Sequence, residues 1–379
     1  MKIGIITLPL HINYGGILQA YALQTYLERR GHEVKVIDYN GDQSLRLSIK
    51  NMPLVYAKRI FRKLIGDPIP VFLEQKLNRE RALVRQNTDK FIKRYIHRHL
   101  ITDFSQIKAG DFDAFVVGSD QVWRPVYFEQ SFRSSICNAY LEFAESWDIL
   151  RVSYAASFGV DFWEYSQEQT EICCKLLENF DAISVREDSA VHLCKQKFGV
   201  NVVHMIDPTM LLSVEDYLNL IDNANPPQSQ GEILSYILDN NADKEQIVDT
   251  ISNKTGYRIF SVIAKSDDFY SDISNRIQPS VESWLKGFMD AKLVITDSFH
   301  ACVFSILFRK PFYVIVNEGR GASRFRSLLK LFDLEDRILD MKFIEDDIIV
   351  EPIPESVYHK LAELRGNSDE FLNIFNNER

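Results

Sequence analysis

The sequence predicts an α/β protein built from two doubly wound parallel sheets that face each other across a cleft. Apolar runs of five to seven residues alternate with segments of helical period along most of the chain, the order that places helices on both faces of parallel sheets. One locally Pro/Asn/Gln-rich break, Asn223 to Gly231 (NANPPQSQG), interrupts this order, and ILSYIL begins a new alternation directly after it. The length of 379 residues favours two domains, at roughly 100 to 200 residues each.

In the first half, strands are expected near 2–8 (KIGIITL), 34–39 (VKVIDY), 114–118 (AFVVG), 151–156 (RVSYAA), 181–185 (DAISV) and 202–206 (VVHMI), and these six complete one open sheet. A helix follows the first strand, with Leu18, Ala22, Leu23, Tyr26 and Leu27 as its apolar stripe. The second half repeats the logic with strands near 233–238, 258–263, 292–296 and 312–316 and helices near 242–255, 281–290, 298–308 and 323–332. The expected domains are therefore 1–221 and 231–350, with 351–379 as a C-terminal helical segment that either stays on its own domain or crosses back to the first.

Composition removes several classes. With 46% apolar and 26% charged residues, 16 Gly and 12 Pro, the chain is neither disordered, collagen-like nor a coiled coil. The apolar window Ala301 to Phe308 is eight residues long, far short of a membrane span. The run Ile3 to Leu10 leads into His11-Ile12-Asn13-Tyr14-Gly15-Gly16 rather than a cleavage site, so no export signal is read. Cys137, Cys173, Cys174, Cys194 and Cys302 form neither a disulfide framework nor a zinc motif. A cytoplasmic location is expected, and no metal. His97-Arg98-His99 is read as a solvated helical face, because residues two apart on a helix diverge.

Residues 46–100 hold fourteen Lys and Arg against four Asp and Glu, a local +10 in a chain of net charge -9. They are expected to form a basic helical insertion. One reading is a solvated insertion packed on the first domain, and the other a peripheral contact with an anionic membrane surface. Nucleic acid is not expected as a partner, since the chain is acidic overall and carries no recognition motif.

In a doubly wound sheet, ligands sit beyond the carboxyl ends of the strands. The first such loop holds Asn13, Gly15 and Gly16, where glycines let backbone approach a ligand or pack helix on sheet; the dinucleotide fingerprint is not met. Gly118-Ser119-Asp120-Gln121-Val122-Trp123-Arg124 follows the third strand and suits a saccharide, with Asp120 as hydrogen-bonder and Trp123 as platform, or else forms an elaborate turn capped by Asp120. Asp111 and Asp113 precede that strand and point away from the cleft. Arg186, at a strand end beside a helix start, makes either an anion site or an ion pair with Glu187 or Asp188. His204 lies in the next strand, and Asp207 before Pro208 is read as a turn and helix cap.

In Thr296-Asp297-Ser298-Phe299-His300 a strand turns directly into a helix, with Asp297 or Ser298 as cap. His300 can then face the cleft and exchange a proton near neutral pH, or bond backbone. Arg320 and Arg324 flank Gly321 and Ser323 in a loop that is either an anion clamp or solvated surface.

The segments NYGGILQAYALQTYL, VVGSDQVWRP, ISVREDSA, MIDPTMLL, TDSFHACVFSILFRKPF and SRFRSLLKLF run in order from about residue 3 to 335 and resemble the polysaccharide pyruvyl transferase family. The resemblance implies Rossmann-like domains in the GT-B glycosyltransferase arrangement, and transfer of the pyruvyl group of phosphoenolpyruvate onto two sugar hydroxyls as a cyclic ketal, in exopolysaccharide biosynthesis. By the same resemblance His300 is the catalytic histidine and Arg186 holds the donor. The chain departs from many relatives at Ser298, where an arginine or other polar residue is common, and at Ala301, where a glycine is common.

Phosphoenolpyruvate carries a phosphate and a carboxylate, so Arg186, Lys310, Arg320 and Arg324 are the candidate cations, with Ser298 beside the donor. Asn13, Gly15, Gly16, Gln19, Asp120 and Trp123 are the candidate acceptor residues. No cofactor is expected. If the acceptor sugar is polyprenyl-linked, the basic insertion gains a purpose at the inner membrane face. The competing readings are a GT-B glycosyltransferase using a nucleotide sugar and a non-catalytic sugar-binding protein of the same pathway.

Overall fold

The computed structural model describes residues 1–42, 44–266, 268–316, 322–339 and 350–376. The apolar run at the start forms β1 (Lys2–Ile6) and turns at Asn13 into α1 (Tyr14–Glu28). There follow β2 (Glu33–Tyr39), α2 (Met52–Leu64), α3 (Leu73–Tyr95), β3 (Arg98–Ile101), β4 (Ala114–Val117), α4 (Pro125–Phe132), β5 (Leu150–Ala156), α5 (Gln167–Leu177), β6 (Ala182–Val185), α6 (Asp188–Leu193), β7 (Val203–His204) and α7 (Val214–Ala224). Among the described residues these seven strands pair in the order β3-β2-β1-β4-β5-β6-β7, each pair parallel. β4 and β5 are buried throughout, which is why they read as continuous apolar runs rather than alternating ones.

The second half forms β8 (Ile233–Tyr236), α8 (Ala242–Thr255), β9 (Ile259–Phe260), α9 (Ile273–Arg276), α10 (Val281–Asp290), β10 (Leu293–Thr296), α11 (Phe299–Leu307), β11 (Phe312–Val314) and α12 (Ala322–Leu331). Its parallel sheet has the order β11-β10-β8-β9. The strand order reverses between β1 and β4 in the first sheet and between β8 and β10 in the second. Each reversal opens a crevice beyond the strand ends. Between the sheets, Tyr14 stacks on Trp284 at 5.4 Å and Tyr217 meets the edge of Phe304 at 5.0 Å, so one apolar core runs from layer to layer.

Three features depart from or complete the expectation. The first sheet gains β3 from within the basic segment, where a helix was read. Its residue Arg98 bonds the Asp38 carboxylate of β2 at 3.0 Å, and the His97 ring lies 2.7 Å from Glu28. The insertion α2–α3 also joins the two halves instead of resting on the first alone. Gln278 N–H donates to Val84 O at 2.9 Å, Asn87 donates to Gln278 O at 2.8 Å, Lys76 donates to Phe269 O at 3.0 Å, and Arg276 pairs with Glu80. Finally α13 (Glu355–Leu372) crosses back to the first sheet, where Arg365 Nε donates to Met210 O at 2.6 Å and Arg30 pairs with Asp369 at 2.5 Å. No described helix is long and apolar enough to cross a membrane.

Candidate active site in the cleft between the sheets

A cavity of about 500 Å³ lies between the carboxyl ends of the two sheets, and the loops leaving β1, β4, β8 and β10 line it. These are the strands that flank the two reversals, so topology alone concentrates polar loops here. Asn13, Gly15, Asp120, Ser298, His300 and Arg324 stand on its wall.

His300 is in the first turn of α11 and only 7% exposed. Its Nε2 is 3.6 Å from Asp207 Oδ2, just beyond hydrogen-bond length, while Nδ1 is the ring atom nearest Gly15 on the cleft wall. A Cβ on Gly15 would sit 2.0 Å from that Nδ1. The glycine in NYGG is thus required by the histidine of the opposite sheet, not by a ligand approaching the backbone. Gly16 is a packing position, where a Cβ would meet the Asn13 amide at 3.2 Å.

Asp207 ties this centre together. Oδ1 caps the turn after β7, accepting from Thr209 N at 3.0 Å and Thr209 Oγ1 at 2.7 Å. Oδ2 accepts from Arg186 Nη1 at 2.8 Å and Ser119 Oγ at 3.2 Å, on the side that faces His300. Burial pushes its carboxyl up, but His300 and the Arg186 guanidinium outweigh that and hold it well below the usual carboxylate range. The expected cap is present, and the same carboxylate also steadies the cleft histidine.

Two arginines share the ring of Phe299, with guanidinium carbons 4.5 Å (Arg186) and 5.9 Å (Arg324) from its centroid. Arg186 lies one layer behind the wall, 1% exposed, with Asp207 at 2.8 Å and Asp120 at 3.7 Å. Its ion-pair partners therefore come from the neighbouring strand ends and not from Glu187 or Asp188. Glu187 instead accepts from Ser157 Oγ and Phe158 N, each at 2.9 Å. Arg324 reaches the cavity itself, and its guanidinium is pushed down to about 10 by burial and by the charge of Arg186.

Several residues expected at the site stand elsewhere. Gln19 is fully buried and bridges Thr7, Gly16 O and Ser119 N, so it shapes the loops and cannot contact a sugar. Trp123 is fully buried, stacked on Tyr140 at 5.0 Å with its indole N–H donated to Ala139 O. It has no open face to serve as a platform. Lys310 precedes β11, at the amino end of the sheet, and donates to Met289 O at 2.7 Å, away from the cleft. Arg320 lies outside the described residues. Asp297 does not cap α11. It accepts from Leu238 N and Lys244 Nζ, at 2.6 and 2.7 Å, and pins the loop after β8. Ser298 is the N-cap but makes no side-chain capping bond, and it lines the cavity.

Sequence reasoning passed over Tyr14, whose hydroxyl donates to Pro279 O at 2.8 Å and lies 3.0 Å from Gln278 Oε1, bridging the halves at the cleft floor. It also gave Asp207 only half its role. Arg186 and Asp207 follow β6 and β7, which are adjacent parallel strands, so strand order was the signal that could have paired them.

Among solved structures, the chain is similar in layout to sucrose-phosphate synthase from Thermosynechococcus elongatus (12% identity, 99% of this chain and 98% of that one, TM-score 0.47). It is likewise similar to MnaA of S. aureus with UDP (12%, 100% and 98%, TM-score 0.48) and to MurG of Acinetobacter baumannii (10%, 96% and 94%, TM-score 0.41). Likeness at this level carries no argument about chemistry. No curated protein matches the sequence. The family model for polysaccharide pyruvyl transferase matches residues 13–319, from the Asn13 loop through His300, and the chain belongs to that family of transferases.

Proposed function

We propose that the protein transfers the pyruvyl group of phosphoenolpyruvate to two hydroxyls of a saccharide as a cyclic ketal, in the cytoplasm, during assembly of a cell-surface polysaccharide. The observation that supports this reading most is His300 on the cleft wall, backed by Asp207, in a cavity that the buried Arg324 also lines. The donor is a small, multiply charged anion with an enol carbon to protonate. The site offers a cation in a low-dielectric wall and a histidine with a carboxylate behind it.

In this scheme C3 of the donor takes a proton and C2 becomes electrophilic. One hydroxyl oxygen adds to C2, the C2–O bond to phosphate breaks, and the second hydroxyl closes the ketal. Of the two hydroxyl protons lost, one ends on the new methyl group and the other on phosphate. His300 carries protons, and Asp207 orients its ring and stabilises the imidazolium. Arg324 and Ser298 hold the donor, while Asn13 and Asp120 meet the acceptor hydroxyls. No step calls for a metal or nucleotide.

Ligands that bind the native state raise the unfolding midpoint by mass action, about 2.7 kcal/mol at a hundredfold excess over Kd. The test is the midpoint with increasing phosphoenolpyruvate for wild type, Arg324→Met and His300→Ala, with UDP in parallel. The expected result is a saturable rise that Arg324→Met loses and His300→Ala keeps, with phosphate release abolished in His300→Ala. A rise with UDP and none with phosphoenolpyruvate would replace this reading with a nucleotide-sugar glycosyltransferase.

A further inference from the structure

Helix α2 of the basic insertion buries no residue. At about 100° per residue, Ile60, Leu64, Ala57, Phe61, Leu54 and Ile65 fall on one arc of roughly 140°, and all six are exposed. Leu54, Phe61, Leu64 and Ile65 are 76%, 63%, 80% and 67% accessible. The opposite face is engaged, with Arg59 paired to Glu74 at 2.7 Å and Tyr56 edge-on to Phe72 at 5.2 Å. Lys58 and then Arg62 run along one margin of the apolar arc, and Lys63 stands about 60° outside the other margin, past Ile60. Arg62 is held by Asp67 at 2.5 Å, whereas Lys58 and Lys63 are exposed.

We infer that this face of α2 docks the protein on an anionic phospholipid surface, the apolar arc entering the headgroup boundary and Lys58 and Lys63 meeting lipid phosphates. An apolar arc edged by cations is the pattern of a helix lying in the interface plane. Charge also separates lipid from a second copy of the chain. A twofold pairing of this face would bring the same lysines of two subunits together, and residues 46–100 carry +10.

The helix is coupled to the cleft. Tyr270 Oη donates to Asp67 Oδ1 at 3.1 Å, and Ile263, Lys265 and Asp268 from the same loop line the cavity. Docking through α2 brings that loop close to the bilayer, so an acceptor sugar attached to a lipid could reach the site without leaving the membrane. This last step rests on the proposed saccharide acceptor, but the docking itself does not.

The test is flotation of the full chain with vesicles of phosphatidylcholine alone and of a phosphatidylcholine–phosphatidylglycerol mixture, at low and high salt. The wild type is expected to float with the anionic vesicles only, and less at high salt. Lys58→Gln with Lys63→Gln should lower the partition coefficient about 25-fold, at about fivefold per lysine. Leu54→Ser, Phe61→Ser and Leu64→Ser together should lower it more than about 100-fold. None of these side chains is buried, so unchanged unfolding midpoints will certify the variants. Failure to float with either vesicle, flotation that the triple variant retains, or a wild-type dimer that the triple variant converts to monomer would each overturn the inference. Vesicles without substrate are used, so a negative result leaves the phosphoenolpyruvate response of the free protein standing as a separate question.

Discussion

Replacing Gly15 by alanine tests whether the position of His300 matters. The new Cβ would lie 2.0, 2.2 and 2.6 Å from Nδ1, Cγ and Cε1 of the ring, and ordinary contact begins at 3.4 Å, so the imidazole must move about 1.4 Å. It cannot move freely, because Phe299 and the buried Asp207 stand against it. A misplacement of about 1 Å at a reacting group can cost about 100-fold, and loss of proton transfer altogether about 10² to 10⁴. The fold should feel little. Gly15 lies in the first turn of α1, where alanine favours the helix by up to about 1 kcal/mol, against about 1 to 3 kcal/mol for overpacking. We therefore expect phosphate release from phosphoenolpyruvate with acceptor to fall at least about 100-fold, with the unfolding midpoint changed by a few degrees. Wild-type turnover in Gly15→Ala would refute the reasoning and remove His300 from the chemistry.

Asp207→Asn removes the nearer of the two carboxylates that pair with buried Arg186 and should cost about 3 kcal/mol by urea denaturation near neutral pH. Because the folded carboxyl is held low, its contribution is present above the ordinary carboxylate pKa of about 4 and is lost as pH falls below it. Wild-type stability should accordingly drop more steeply below about pH 4 than that of the variant, and equal slopes would contradict the assignment. Trp123→Ala should cost about 3 to 5 kcal/mol of stability while leaving the phosphoenolpyruvate midpoint shift intact, as measured by the same titration. Lys310→Met should leave that shift unchanged, in contrast to Arg324→Met, because Lys310 stands at the amino end of its sheet.

Elements that depend on local pattern were legible. The strand LVIT and the following apolar helix were expected over 292–296 and 298–308 and occur at Leu293–Thr296 and Phe299–Leu307. β3 was not, because RHLI gives only four residues of an edge strand inside a strongly basic segment, with too little alternation to betray a face. The loops expected beyond the strand ends do line the cavity, but side-chain direction within them was not readable. Asp120 adopts φ 58° and its carbonyl accepts from Ser157 N, while Trp123 N donates to Ser157 O. These bonds fold the loop onto β5 and leave the Trp123 indole inside. The contact of Gly15 with His300 spans two sheets and 285 positions of sequence, and only docking of the halves creates it.

The charges of the cleft assign different duties to its two arginines. Arg186 has two carboxylates within 3.7 Å, so its charge is already balanced before any ligand arrives. Its part is to keep Asp207 ionised beside His300. For Arg324, burial and the nearby Arg186 charge disfavour the protonated state, and an anion bound in the cleft would act against that shift. Substitution at the two positions should then separate. Loss of Arg324 is expected to weaken binding of the proposed donor, whereas loss of Arg186 is expected to act first on stability.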